Sequence, residues 1–254
     1  MTAQLDLIKA LASQGKRIFS TEEARACAIG LEDSYIPQLL HTLKKRGMIR
    51  PLIRGLFALS NNILAGPPLH EYKIAMRLSQ PGAICCWSAM AFYQLTDQVV
   101  NKVFILAPRG ETKTNSPYRS YTIDRTVYSL IKTKPELYFG VQQQGLGEIS
   151  FWVTDLERTL LDGLIRPQCC GGFREVLHAY QEAASRIDIS CLIGYAQQYS
   201  IAVAKRLGWV LESLTLFPKR WNELKNLPHK GFIKLDPTGP CKSPRGKPHG
   251  ILST

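Results

Sequence analysis

The chain has 254 residues, is 45% hydrophobic and carries a formal net charge of +12. That is enough apolar material for a sizeable core, and the excess cation attracts polyanions over about a Debye length, roughly 8 Å at physiological salt. Nucleic acid is the commonest such partner, although charge alone also fits a basic protein with no specific target. The most apolar window, residues 83–93, is too short and too broken by Ser88 to span a bilayer. The start, Met1-Thr2-Ala3-Gln4-Leu5-Asp6, has no basic stretch running into an apolar one, so the expected location is the cytoplasm, with no membrane partner. Seven cysteines fit that location: Cys85-Cys86 and Cys169-Cys170 are adjacent pairs, and Cys27, Cys191 and Cys241 stand alone. There is no C-x-x-C and no histidine at zinc spacing. Free buried thiols, no metal and no cofactor are expected.

Leu5, Leu7, Ile8 and Leu11 recur at helical spacing and predict a first amphipathic helix ending near Gly15. Ile18-Phe19-Ser20 is short and extended in character. Ser20 or Thr21 then caps a second helix, with Glu22 and Glu23 well placed against its dipole and Gly30 as its stop. A third helix begins near Asp33-Ser34. With Ser34 as the cap, Pro37 falls in the first turn, where its missing N–H costs little. Ile36, Leu39, Leu40 and Leu43 form one apolar stripe, and Gln38, His41 and Lys45 lie opposite, with Ser34 at the start and Thr42 alongside. Lys44-Lys45-Arg46-Gly47 closes the helix with cations and a glycine. Residues 48–60 read as two strands joined at Arg54-Gly55, carrying Arg50 and Arg54. Three helices followed by a hairpin is the order of a winged helix-turn-helix.

This pattern suits double-stranded DNA. A helix fits the major groove, glutamine can bond adenine twice, and lysine and arginine at the helix end and wing reach phosphates. The candidate contacts are Ser34, Gln38, His41, Thr42, Lys44, Lys45, Arg50 and Arg54. A solvated polar face, or a winged helix used for protein contacts, would share the same pattern.

Asn61-Asn62 and Gly66-Pro67-Pro68 suggest a linker. Helices are expected at 69–78 and 84–95, a strand at 103–107, a loop at 109–121, and strands at 122–131, 138–142 and 149–153. Four helices follow, at 155–165, 173–185, 189–199 and 201–214. Strands followed by helices indicate an α+β fold. The expected division is 1–62 winged helix-turn-helix, 63–240 a larger α+β domain with a small sheet and a helix cluster, and 241–254 a basic, poorly ordered tail.

No phosphate-binding glycine loop, H-E-x-x-H or G-x-S-x-G occurs, so no catalytic residue is assigned. Asp155 and Asp162 could share a helix face and hold Mg²⁺, as a nuclease would need. A helix cap at Asp155 and an Arg158–Asp162 pair at i,i+4 explain the same residues without chemistry.

Five segments carry a family resemblance: Arg54-Gly55-Leu56-Phe57-Ala58-Leu59; Trp87-Ser88-Ala89 in a helix leading to Leu95; Asp155-Leu156-Glu157-Arg158-Thr159-Leu160-Leu161-Asp162-Gly163-Leu164 followed by Arg166-Pro167; Lys205-Arg206-Leu207-Gly208-Trp209-Val210-Leu211-Glu212; and Lys234-Leu235-Asp236-Pro237-Thr238-Gly239-Pro240. In this order the chain resembles the AbiEi-type antitoxins and transcriptional regulators of type IV toxin–antitoxin, or abortive infection, systems. The resemblance implies a repressor whose winged helix binds inverted repeats in its own promoter. It further implies an antitoxin that counters a nucleotidyltransferase toxin without a stable complex between the two. The stretch after Pro240 departs from the family, which tends to continue into a strand with an aromatic residue. A metal-dependent nuclease guided by the winged helix, and an interaction adaptor that does not bind DNA, remain as alternatives.

Overall fold

The computed structural model describes residues 2–63, 67–109, 118–218, 220–225, 227–228, 233–239 and 251–252. Helix α1 (Thr2–Ser13) turns Leu7, Ile8 and Leu11 inward. After strand β1 (Ile18–Ser20), helix α2 (Thr21–Cys27) starts on a capping box. The Ser20 hydroxyl accepts from the Glu23 N–H at 3.2 Å, and the Glu23 carboxylate accepts from the Ser20 N–H at 2.7 Å. A 3-10 turn (Asp33–Tyr35) leads into α3 (Ile36–Lys45), and strands β2 (Ile49–Ile53) and β3 (Leu56–Leu59) form the wing. The strands pair antiparallel in the order β1-β3-β2. Pro51 sits on edge strand β2 at a register shift, where a missing N–H is tolerated. The expected winged helix-turn-helix is formed.

The rest of the chain builds a six-stranded mixed sheet in the order β6-β7-β5-β4-β9-β8. Its strands are β4 (Ala83–Ile84), β5 (Lys102–Pro108), β6 (Tyr118–Ile123), β7 (Thr126–Thr133), β8 (Val141–Leu146) and β9 (Ile149–Thr154). Helices α4 (Glu71–Leu78) and α5 (Cys86–Phe92) precede and interrupt it. Four sequence expectations are corrected here. The segment expected as one strand over 122–131 is a hairpin, because Asp124 takes a positive φ of 55° and turns the chain between β6 and β7. Within the expected loop 109–121, residues 118–121 are strand and 110–117 lie outside the described residues. The expected helix at 84–95 begins at Cys86, because Ala83–Ile84 is consumed as the central strand joining β5 and β9. The strand expected at 138–142 runs over Val141–Leu146 instead, because pairing with β9 extends β8 across polar Gln143 and Gln144.

Helices α6 (Leu156–Ile165), α7 (Phe173–Ala183), α8 (Ile189–Tyr199) and α9 (Ile201–Ser213) follow the sheet, then α10 (Trp221–Lys225). Strand alternation sorts the core. Phe104, Leu106 and Ile131 face a cluster shared with α5 to α10, while Val103, Ile105, Tyr128 and Leu130 face α4 and the wing. The overall class is α+β, with α5 to α10 gathered on one face of the sheet and α4 with the wing on the other. Of the expected tail 241–254, only residues 251–252 lie among those described. They form strand β11 (Ile251–Leu252), paired antiparallel with β10 (Ile233–Lys234).

Asp155 caps α6, accepting from the Arg158 N–H at 2.7 Å. One turn on, Arg158 and Asp162 form an ion pair at 3.1 Å with both side chains fully buried. Arg158 also donates to the Leu137 carbonyl at 2.9 Å and lies 4.5 Å over the Phe139 ring. Breaking such a pair leaves a buried charge unmatched. Asp162→Leu, which leaves the fully buried Arg158 without its carboxylate, is therefore expected to lower stability by about 3–5 kcal/mol, read from urea unfolding curves, and adding Arg158→Met should recover much of that loss. Close packing governs the next turn of the same helix. A Cβ on Gly163 would approach Val176 Cγ1 to 2.9 Å, so Gly163→Ala should destabilise by about 1–3 kcal/mol despite alanine's better helix propensity. An unchanged unfolding midpoint would contradict that packing.

Candidate nucleic-acid interface

Helix α3 has two faces because its apolar residues fall on one side. Ile36, Leu39, Leu40 and Leu43 are buried among Leu7, Leu11, Phe19, Ile49 and Leu59. At 100° per residue, that burial forces Gln38, His41 and Lys45 to the opposite side. All three are exposed, and so is Lys44 on one flank. Thr42, on the other flank, is half-buried, and its hydroxyl donates to the Gln38 carbonyl at 2.9 Å. Its hydroxyl is thus occupied within the helix.

Ser34 is exposed but does not cap the helix as expected. It lies in the 3-10 turn and donates to the Glu32 carboxylate at 3.3 Å, while Tyr35 occupies the cap position without a side-chain bond. Pro37 does fall in the first turn, as expected. At the other end, Lys44 and Lys45 lie against the helix C-terminus, and Arg46 is drawn aside to Gln4 at 2.6 Å.

The wing separates its two arginines. Arg54 stands exposed at the hairpin tip, beside Gly55 at φ +79°. Arg50 is half-buried and pairs with Asp124 at 2.7 Å, in the turn between β6 and β7. The sequence gives no hint of this pair, because its partners lie 74 positions apart. The same turn brings exposed Arg125 to the flank of the wing, a cation that sequence reading did not single out. The structure therefore brings Gln38, His41, Lys44 and Lys45 onto one exposed helix side, keeps Arg54 exposed at the wing tip, and engages Arg50 elsewhere.

The wing is also fixed from behind. Ile18, Leu52, Leu56 and Ala58 pack with Tyr72, Ile74 and Ala75 of α4 and with Val103, Ile105 and Tyr128 of the large sheet. Glu23, already part of the capping box, is bonded by Arg77 of α4. Arg17 donates to the Pro67 carbonyl at 2.9 Å.

The acidic residues weighed for a nuclease are arranged differently from a catalytic pair. Asp155 caps α6 and accepts from the Tyr195 hydroxyl at 2.9 Å. Asp162 is fully buried beside Arg158, out of reach of a phosphodiester. Among the described residues, no helix is long and apolar enough to cross a membrane.

Comparison with known proteins adds three findings. No curated protein matches the chain. The solved structure of the Rv2827c protein from Mycobacterium tuberculosis is similar in fold, with a TM-score of 0.61 over 88% of this chain and 80% of that one, at 11% identity. The third concerns the winged-helix segment, where the resemblance expected from the sequence stands: residues 6–60 match the family of AbiEi antitoxin transcriptional regulators.

Proposed function

We propose that the protein binds double-stranded DNA through α3 and the wing, and that it represses its own promoter as the antitoxin of a type IV toxin–antitoxin pair. The observation that carries this reading is the exposed polar side of α3. Gln38 and His41 offer hydrogen-bonding groups at the spacing of adjacent turns, and Lys44 and Lys45 supply charge at the helix end. Such a helix enters the major groove with its polar groups toward base edges while the cations and the wing hold the phosphates. Arg54 at the hairpin tip is the wing's contact in this reading, and Ser34 lies close to the backbone at the start of the helix. Thr42 supports the helix from its flank.

A transcriptional regulator of the AbiEi antitoxin kind fits the family match over residues 6–60. Inverted repeats upstream of its own gene are the proposed target, and a nucleotidyltransferase toxin is the proposed functional partner, opposed without a stable complex. The role is one of binding, with no catalytic step assigned to the chain. Its proposed location is the cytoplasm, and the division into residues 1–62, 63–240 and 241–254 is the working domain scheme.

Fluorescence anisotropy with the upstream duplex and a scrambled duplex tests the reading. Lys44→Ala and Lys45→Ala should weaken binding to both duplexes, each lowering the slope of log affinity against log salt by about 0.9. Gln38→Ala should instead relax preference at one base pair, a loss of about 1–3 kcal/mol in discrimination. Equal affinity of the unaltered protein for both duplexes at physiological salt would defeat the proposal. A second expectation separates the two wing arginines. Because Arg50 is held by Asp124, Arg50→Ala should reduce DNA affinity less than Arg54→Ala does, in the same titration.

A further inference from the structure

Among the described residues, a cluster of ligating side chains lies away from α3, in the core between α5, α6 and the turn after α6. Cys85 and Cys86 open α5, Asp162 projects from α6, and Cys169 and Cys170 come from the 3-10 turn Pro167–Cys169 and the residue after it. The sulfurs of Cys85 and Cys86 and a carboxylate oxygen of Asp162 all lie within 4.8 Å of one another, and the three residues are buried. Cys170 is fully buried, and its thiol stands against that of Cys86 and in the field of Asp162. Two adjacent pairs, 83 positions apart in the chain, therefore converge on one place.

Three independent features make this more than buried thiols. First, Asp162 Oδ2 is buried without a hydrogen-bond partner, although Oδ1 is paired with Arg158. A carboxylate oxygen left unsatisfied in a core is costly. Second, the local charge is unbalanced. Asp162 faces two guanidiniums, Arg158 at 3.1 Å and Arg166 at 3.8 Å, so the pocket carries one cation in excess while its thiols are protonated. Third, Cys86 adopts φ +52°, a left-handed conformation rare for a residue with a side chain, at the first position of α5. That backbone holds the Cys86 sulfur among the other thiols.

We propose that Cys85, Cys86, Cys170 and Asp162 form a binding site for a thiophilic divalent cation of the Zn²⁺ class. A tetrahedral zinc with bonds of about 2.0–2.3 Å sets its ligand atoms roughly 3.5–3.8 Å apart, so the three mutually close atoms, within 4.8 Å of one another, must draw in by about 1.3 Å at most. Three thiolates and one carboxylate around a dication leave a charge of −2, which Arg158 and Arg166 match. Binding displaces the thiol protons. The ion would tie α5, α6 and the turn after α6 together, a structural role with no open coordination position. Cys169 also stands against Cys86, but it is the least buried of the four thiols and lies beside Arg166, and it stays outside the ligand set.

The test uses the full chain, purified under reducing conditions, stripped with a chelator and titrated with Co²⁺. One equivalent should produce a thiolate-to-cobalt charge-transfer band and the strong visible bands of a tetrahedral ion, both abolished by Zn²⁺. Zn²⁺ should also raise the unfolding temperature. Cys86→Ser should remove most of the charge-transfer intensity, Asp162→Asn should weaken affinity about tenfold or more, and Cys27→Ser should change nothing. If the folded wild-type protein gives no charge-transfer band, or if Cys86→Ser leaves the band intact, the site does not exist. Should a core variant fail to fold, the wild-type titration decides alone. The outcome is independent of DNA binding.

Discussion

The wing's inner surface is buried against the large sheet, and the arrangement of the molecule follows from that contact. Ile18, Leu52, Leu56 and Ala58 pack against α4 and the strands carrying Val103, Ile105 and Tyr128. Burying a side chain of this size is worth about 1.5–3 kcal/mol, so the wing cannot swing free without exposing several at once. Two polar links sit at the edge of this contact, Arg50 to Asp124 and Arg77 to Glu23. Partly exposed pairs of this kind add little energy. Their effect is to set the angle of the wing.

A fixed wing has a consequence for recognition. Helix α3 is anchored on its other side by Leu7, Leu11, Phe19 and Ile49, so both the helix and the hairpin tip are held on one frame. A protein that docks on a duplex with preformed elements avoids ordering its contacts at the moment of binding. The cations then divide by tertiary position: Lys44, Lys45 and Arg54 stay available, and Arg50 and Arg77 hold the frame.

The helix cluster depends on a second constraint. Arg158 and Asp162 occupy the centre of α6 with no solvent exposure, in a core otherwise built of leucine, alanine, cysteine and tyrosine. The segment containing them is one of the stretches that carry the family resemblance, and the i,i+4 spacing of Arg158 and Asp162 leaves their burial open. Only packing of α8 and the 135–139 segment around Arg158 removes them from water. The same packing turns Asp162 toward the cysteine pairs.

Local rules alone determined the winged helix: the 3.6-residue spacing of Leu39, Leu40 and Leu43, the capping box at Ser20 and the glycine at the hairpin all act within a few residues. The Asp155 cap and the Arg158–Asp162 pair were legible for the same reason, being contacts three and four residues apart. The outward side of α3 followed from its inward one. Tertiary structure decided what local rules leave open: that Ala83–Ile84 is a strand, which needs β5 and β9 on either side; that Arg50 meets Asp124; that Ser34 is not a cap; and that Cys85-Cys86 meets Cys170 beside Asp162. Ser34 is drawn to Glu32 two residues back; the others join residues far apart in the chain, and the energy that fixes them comes from surfaces that exist only once the sheet has formed.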